Sequence, residues 1–154
     1  AQFLPENYHV HICGFGTKEE VSDMKQFIAD VSRKSKATIS YEGLLKGCDY
    51  IRLIQKCHIG LSTQSPHTFF NDTSFPSKIL SYMSNGLSVV SVRIKAITNS
   101  AVGPYINYYD EQTPEQIAAA IVRTAVVNDN REVIARLDAD FLVQLKELFD
   151  KFKF

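Results

Sequence analysis

Two periodicities of hydrophobic and polar positions alternate along the chain. Short apolar runs rich in β-prone residues predict strands at 8–13, 37–41, 58–63, 87–92 and 105–109. Between these runs, apolar residues recur every three or four positions, which predicts helices at about 18–33, 48–56, 76–85, 114–125 and 131–152. Because strands alternate with helices, the pattern predicts an α/β protein whose strands run parallel.

The positions of the helix ends support this interpretation. Thr17 followed by Glu20, and Thr113 followed by Gln116, are capping-box signals, and Pro114 takes the first helical position of the second. Pro76 falls in the first turn of its predicted helix, and Gly86 follows the last turn. We therefore expect a Rossmann-like, doubly wound parallel sheet with helices on both faces, in three α/β/α layers.

Length and composition favour a single domain over residues 1–154. The chain has 45% hydrophobic and 22% charged residues, with no linker or low-complexity tract. Its formal net charge is zero, so no electrostatic footprint for nucleic acid is present. No apolar run approaches the roughly 18 residues of a membrane span, and no secretory signal is recognisable. We expect a cytoplasmic location.

The three cysteines indicate neither a disulfide framework nor a thiolate metal site. Cys13, Cys48 and Cys57 are odd in number, lack C-x-x-C spacing and lie among apolar residues. This pattern predicts free, buried thiols in a reducing compartment.

The sequence also predicts neither a metal nor a cofactor. His9 and His11 would share one face of the first strand, but no nearby cysteine or carboxylate pair completes a ligand set. Gly14-Phe15-Gly16 has the position of a dinucleotide-binding turn, yet Glu19 replaces the third glycine of that fingerprint. Glu19 and Glu20 would place carboxylates where a pyrophosphate binds, which argues against a nicotinamide cofactor.

The most informative stretch is 70–92, FNDTSFPSKILSYMSNGLSVVSV. A polar loop enters the helix at Ser77 and Lys78, where unpaired amides, a hydroxyl and an ammonium come together. This combination suits a diphosphate at the carboxyl ends of the strands. An ordinary capped helix with a solvated lysine is the alternative, and the residues alone leave both open.

This stretch resembles the donor-binding segment of GT-B glycosyltransferases, particularly the large retaining family (group 1, family 4-like) of bacterial polysaccharide and lipopolysaccharide enzymes. The similarity spans roughly residues 8–125. The matching segments are Gly14-Phe15-Gly16, Ile39-Ser40-Tyr41-Glu42-Gly43, Cys48-Asp49-Tyr50 to Leu61-Ser62, Phe75-Pro76-Ser77-Lys78-Ile79-Leu80, Tyr82-Met83, Asn85-Gly86 and Val89-Val90. Their order along the chain is the order found in that family.

The resemblance implies a hexosyltransferase-like reaction, in which a sugar passes from a nucleoside diphosphate-sugar to an acceptor. It places the diphosphate at Ser77 and Lys78 with Gly14 and Gly16, and the ribose at Ser81. The base would be flanked by Glu42, Gly43, Leu44 and Leu45, and the donor sugar by Asp72, Thr73, Ser74 and Phe75. The family uses no obligatory metal, and no catalytic base is assigned.

Two departures from the family pattern bear on the reaction. The usual glutamate pair falls on Thr73 and Ser81, so the nucleotide, the sugar, the acceptor and the stereochemical outcome stay open. The family's preceding strand with its basic pair, and its N-terminal acceptor-binding domain, have no counterpart in the sequence. We therefore expect this chain to be an inactive fragment whose partners are the sugar donor and that missing domain.

Three further alternatives remain open. A nucleotide-sugar 2-epimerase shares the fold, and a non-catalytic flavodoxin-like binding module is the alternative outside enzymes. The last predicted helix has an apolar stripe that we expect to dock on a domain face, formed by Phe141, Leu145, Leu148, Phe149 and Phe152. Because lysines flank it, peripheral association with the inner face of the membrane is the alternative for this helix.

Overall fold

Strands and helices alternate along the chain, as the hydrophobic pattern predicts. The computed structural model describes residues 1–65, 73–126 and 130–152. Within them, the elements are β1 (His9–Cys13), α1 (Lys18–Ser32), β2 (Thr38–Gly43), α2 (Gly47–Ile54), β3 (Ile59–Ser62), α3 (Lys78–Ser84), β4 (Ser88–Val92), α4 (Lys95–Thr98), β5 (Ile106–Tyr109), α5 (Pro114–Arg123) and α6 (Asn130–Lys151). The α/β class is confirmed.

The strands form two small parallel sheets where a single sheet was expected. β1 pairs with β2, while β3, β4 and β5 pair in that order. Over the described ranges, no strand pairing joins the two sheets. The hydrophobic pattern predicted each strand, but it contains no information on which strands are hydrogen-bonded to each other.

The hydrophobic core surrounds the three-stranded sheet. All five residues of β4 are buried, as expected for a central strand covered on both faces. Helices α3 and α5 supply the residues that pack on it, including Ile79, Met83, Ala118, Ala120 and Ile121. The two-stranded sheet is covered more thinly, because α1 has no buried residue and β1 alternates between exposed and half-buried positions.

The predicted N-cap residues Thr17 and Thr113 are confirmed for α1 and α5, and the start of α3 is shifted. Thr17 and Glu20 form a complete capping box, and the Gln116 amide donates to the Thr113 hydroxyl. α3 begins at Lys78, two residues after the predicted start, and its N-cap Ser77 makes no side-chain cap bond. The Ile79 amide donates to the Pro76 carbonyl at 3.0 Å, so Pro76 belongs to a turn that precedes the regular helix.

The prediction of buried thiols is wrong. Cys13 and Cys48 are exposed and Cys57 is half-buried, and all three are free. Cys13 lies on the exposed face of β1, and Cys48 lies in the first turn of α2, a helix whose buried residue is Ile54 near its other end.

Helix α6 confirms the predicted C-terminal helix but not its docked stripe. Val133, Ile134 and Leu137 in its first half pack against the core. Farther along, Leu145 is half-buried, whereas the other four residues of the predicted stripe are 50–66% exposed, so the expected docking of these side chains on the domain is not seen: Phe141, Leu148, Phe149 and Phe152. In the described part of the chain, no helix combines the length and apolar character that a membrane crossing needs.

Candidate functional site

A cleft of about 290 Å³ opens at the carboxyl end of β1. Its lining combines the turn after β1, the first two turns of α1 and Tyr41 of β2: Ile12, Cys13, Gly14, Phe15, Gly16, Glu20, Val21, Met24 and Tyr41. Phe15, at the tip of the turn, is 83% exposed. Parallel α/β sheets bind ligands at this end of their strands, so the cleft lies where a ligand is expected.

Hydrogen bonds from β2 hold the turn beside this cleft. The Gly14 amide donates to the Gly43 carbonyl at 3.0 Å, and the Tyr41 hydroxyl donates to the Gly14 carbonyl at 2.9 Å. A Cβ at Gly16 would lie 2.7 Å from a carboxylate oxygen of Glu20. Glycine at this position therefore leaves room for the carboxylate that caps α1.

The charge at the cleft is unfavourable for an anion. Glu20 accepts hydrogen bonds from the Thr17 amide at 2.7 Å and from the Thr17 hydroxyl at 3.1 Å. These bonds lower the pKa of Glu20, so its carboxylate stays ionised at neutral pH. The contribution of Gly14 and Gly16 to a diphosphate site stays a prediction. Because the Glu20 carboxylate beside them is negative, the positively charged Lys78 is the better candidate for contact with a diphosphate.

Lys78 is the first residue of α3, the helix that precedes β4 in the chain. Lys78 is exposed, and partial desolvation of its ammonium lowers the pKa of that group. Among residues 1–65, 73–126 and 130–152, no carboxylate lies within ion-pair distance of it. Ser77 lies beside it and is exposed.

The other residues assigned from the resemblance are spread over two regions. Gly43 has a φ of +69°, which glycine adopts without strain, and Leu44 is exposed while Leu45 is half-buried. Ser81 is half-buried on α3, and Thr73, Ser74 and Phe75 lead into that helix. Asp72 lies outside the described residues.

The two parts of the predicted diphosphate site, the Gly14–Gly16 turn and the start of α3, are not in direct polar contact among the described residues. Within the described ranges, no hydrogen bond or ion pair connects the Gly14–Gly16 turn with Ser77 or Lys78. The Gln55 side chain, at the end of α2, donates to the Asn85 side chain, at the end of α3, at 3.2 Å, and burial raises the pKa of Tyr82 on α3 to about 12. The base-flanking segment and α3 are thus linked through α2.

The face of the two-stranded sheet holds a cluster that the sequence argument missed. His11 Nδ1 lies 2.8 Å from Glu42 Oε1, and His9 Nε2 lies 2.6 Å from the Ser40 hydroxyl. The two imidazole rings stack with 4.1 Å between their centroids and 6° between their planes. His9, His11 and Glu42 offer ligand atoms that all lie within 4.8 Å of one another.

Only the strand pairing reveals this cluster. No pair of cysteines or carboxylates lies near the two histidines in the sequence, because Glu42 is 31 residues from His11. The sequence does contain one feature that could have predicted the cluster. Two consecutive predicted strands have polar residues at alternating positions, which are His9 and His11 on the first and Ser40 and Glu42 on the second. Pairing the strands in parallel places all four side chains on one face.

Comparisons with known proteins do not add to this picture. No protein-family model, curated protein or solved structure matches the chain. The described residues define the class of protein, which is an α/β domain with parallel strands.

Proposed function

We propose that this chain is the donor-binding domain of a GT-B glycosyltransferase and binds a nucleoside diphosphate-sugar. The proposal is supported by the match between the elements and the segments that resemble the family. The Gly14–Gly16 turn joins a strand to a helix, and the segment after Glu42 joins β2 to α2. Ser77 and Lys78 open the helix before the fully buried strand β4, and Gly86 ends that helix with a φ of +88°.

The proposal depends on the charge and the surroundings of Lys78. Lys78 is exposed, so a ligand can reach its ammonium, and an anionic partner would offset the partial desolvation that lowers its pKa. The described residues provide no carboxylate for this purpose, whereas a diphosphate has the charge and the oxygen acceptors to do so. We therefore assign the diphosphate to Lys78, with the Ser77 hydroxyl beside it.

The proposed positions of the base, the ribose and the sugar follow from placing the diphosphate at Lys78. In a sugar transfer, negative charge develops on the departing diphosphate, and a positioned cation stabilises that charge in the transition state. The base would lie along Gly43, Leu44 and Leu45, since the Glu42 carboxylate is hydrogen-bonded to His11. The ribose would contact Ser81, and the sugar the segment that ends at Phe75. Such a domain would act in the cytoplasm in the synthesis of surface polysaccharide.

Titration with UDP, GDP and ADP tests the proposal. We expect one of them to bind the chain with a free energy of roughly −4 to −5 kcal/mol. A charge-assisted phosphate contact is worth about 1.5–3 kcal/mol, so Lys78→Ala should weaken that binding about ten- to a hundredfold. Calorimetry measures both values, and the melting temperature of the ligand-free variant should stay that of the parent.

Two controls make the result specific. Lys25→Ala removes an exposed ammonium from α1, and it should leave diphosphate binding unchanged. The corresponding nucleoside, which lacks phosphates, should bind the parent and Lys78→Ala equally. If Lys78→Ala binds the diphosphate as the parent does, Lys78 is a surface charge and the proposed anion site is wrong.

A further inference from the structure

We propose that His9, His11 and Glu42 form a binding site for a divalent transition-metal ion, with Zn²⁺ the best match to their chemistry. The two histidines lie two positions apart on β1, and Glu42 lies near the end of β2. Parallel pairing aligns His11 with Ser40, so the carboxylate two residues farther along β2 reaches the same face.

The positions of the donor atoms suit a single ion. Two ligands bound about 2.1 Å from one zinc ion are themselves about 3–3.5 Å apart. The His11 nitrogen and the Glu42 oxygen are 2.8 Å apart, and the three donor atoms lie within 4.8 Å of one another. Small rotations of exposed or half-buried side chains suffice to bring them around one ion.

The type of ligand decides which cations fit. Imidazole nitrogens favour zinc and its neighbours in the first transition series, whereas Ca²⁺ and Mg²⁺ require sets of oxygen ligands. Two histidines and one glutamate are three protein ligands, which leave a fourth position for water in a tetrahedral zinc site. His11 and Glu42 are each nearly 30% exposed, at 28% and 29% of their side chains, so an ion can reach them from solvent.

Ser40 acts as a positioning residue for this site. Its hydroxyl is hydrogen-bonded to a ring nitrogen of His9 at 2.6 Å. A bond of this kind fixes the orientation and the tautomer of a metal-binding histidine, and its loss typically weakens metal affinity about 10–100-fold. An ion pair between His11 and Glu42 alone would require neither His9 nor Ser40. Substitution of these two residues therefore distinguishes a metal site from a simple ion pair.

The experiment measures Zn²⁺ binding to the full chain by calorimetry, with no nucleotide present. Because thiolates also bind zinc, all variants are made in a chain that has Cys13→Ser, Cys48→Ser and Cys57→Ser. We expect one Zn²⁺ per chain and no binding of Ca²⁺ or Mg²⁺. Co²⁺ should give visible absorption bands typical of a tetrahedral site with nitrogen and oxygen ligands. The melting temperature should rise with Zn²⁺ concentration, because the ion joins two strands of the folded state.

Substitutions then assign the ligands. His9→Ala, His11→Ala and Glu42→Gln should each weaken Zn²⁺ binding at least tenfold and abolish the cobalt bands, and Ser40→Ala should weaken it about tenfold. His58→Ala changes an exposed histidine outside the cluster and should bind Zn²⁺ as the parent does. Circular dichroism confirms that each variant is folded.

Unchanged Zn²⁺ affinity in the three ligand variants would refute the site. Loss of affinity in His11→Ala and Glu42→Gln without any loss in His9→Ala would also refute it, because the site needs both imidazoles. The proposal is independent of nucleotide binding, so either one can fail while the other stands.

Discussion

At the scale of single residues, two neighbouring tyrosines at the end of β5 have different surroundings. The Tyr108 hydroxyl donates to the Gly103 carbonyl at 3.0 Å, and the Arg93 guanidinium lies 4.5 Å from the Tyr108 ring centroid. Tyr109 is only 1% exposed, and its hydroxyl finds no hydrogen-bond partner among the described residues. A buried polar group without a partner has lost its hydration without compensation.

Replacing each tyrosine by phenylalanine should therefore change the free energy of unfolding differently. Tyr109→Phe should leave the free energy of unfolding unchanged or raise it by up to about 1 kcal/mol, since it removes an unpaired buried hydroxyl. Tyr108→Phe should lower it by about 1 kcal/mol, because the hydrogen bond from the Tyr108 hydroxyl to the Gly103 carbonyl is lost, although that carbonyl keeps the Ile106 amide as a donor. Urea unfolding measures both, provided that the denaturant slope is the same. Equal destabilisation by the two substitutions would show that the Tyr109 hydroxyl has a partner.

Residues that act through their sequence neighbours could be predicted, and those that act through strand pairing could not. Thr17 and Glu20 are three positions apart, so their capping box was evident in the sequence and is confirmed. The contact between His11 and Glu42 depends on which strands pair and in which register. Burial of Cys13 depends on which face of β1 is covered, and local hydrophobicity does not contain that information.

At the scale of elements, the close approach of α3 to β3 requires a glycine. Gly60 is buried in β3, and a Cβ built at this position would overlap the ring of Tyr82 on α3. Gly60 thus sets the distance between this strand and the helix that begins with Lys78.

Gly60→Ala should destabilise the protein by about 1–3 kcal/mol, because the helix must move or the Tyr82 side chain must leave its rotamer. Gly14→Ala is the matched control, since a Cβ there would meet no atom within 4 Å. Thermal unfolding followed by circular dichroism measures the difference between the two variants. A Gly60→Ala protein as stable as Gly14→Ala would mean that α3 and β3 are not tightly packed at this point.

The order and type of the elements could be read from the sequence, because periodicity is a local property. The five predicted strands and the main helices are found within a few residues of the expected bounds. The start of α3 was placed two residues early, since Pro76 also suits the turn that precedes the helix. The short α4 was missed because Lys95–Thr98 spans about one turn and has no periodicity to detect.

At the scale of the whole molecule, α6 leaves an exposed apolar surface. Its members in the described chain are Phe141, Leu142, Val143, Leu148, Phe149 and Phe152, each at least half exposed. Exposed apolar clusters on one helix promote association, because contact between two of them removes their surface from water.

We expect the protein to self-associate as its concentration rises, and Phe141→Gln with Phe149→Gln should reduce this association. Both side chains are more than half exposed, so the melting temperature at low concentration should hardly change. Sedimentation velocity over a range of concentrations measures the effect. Gln144→Ser, on the same helix, is the control for a change that removes no apolar surface. A parent protein that sediments as a monomer at every concentration would contradict the prediction.

Because the strands form two separate sheets, the free energy of local unfolding should differ between the two parts of the chain. Unfolding of the β1–α1–β2 unit breaks no strand pairing of the other sheet and exposes few buried side chains. Opening of β4 requires loss of the entire core around it. Amide protons of β1 and β2 should therefore exchange with solvent through a partial unfolding of low free energy, while those of β4 exchange only through global unfolding.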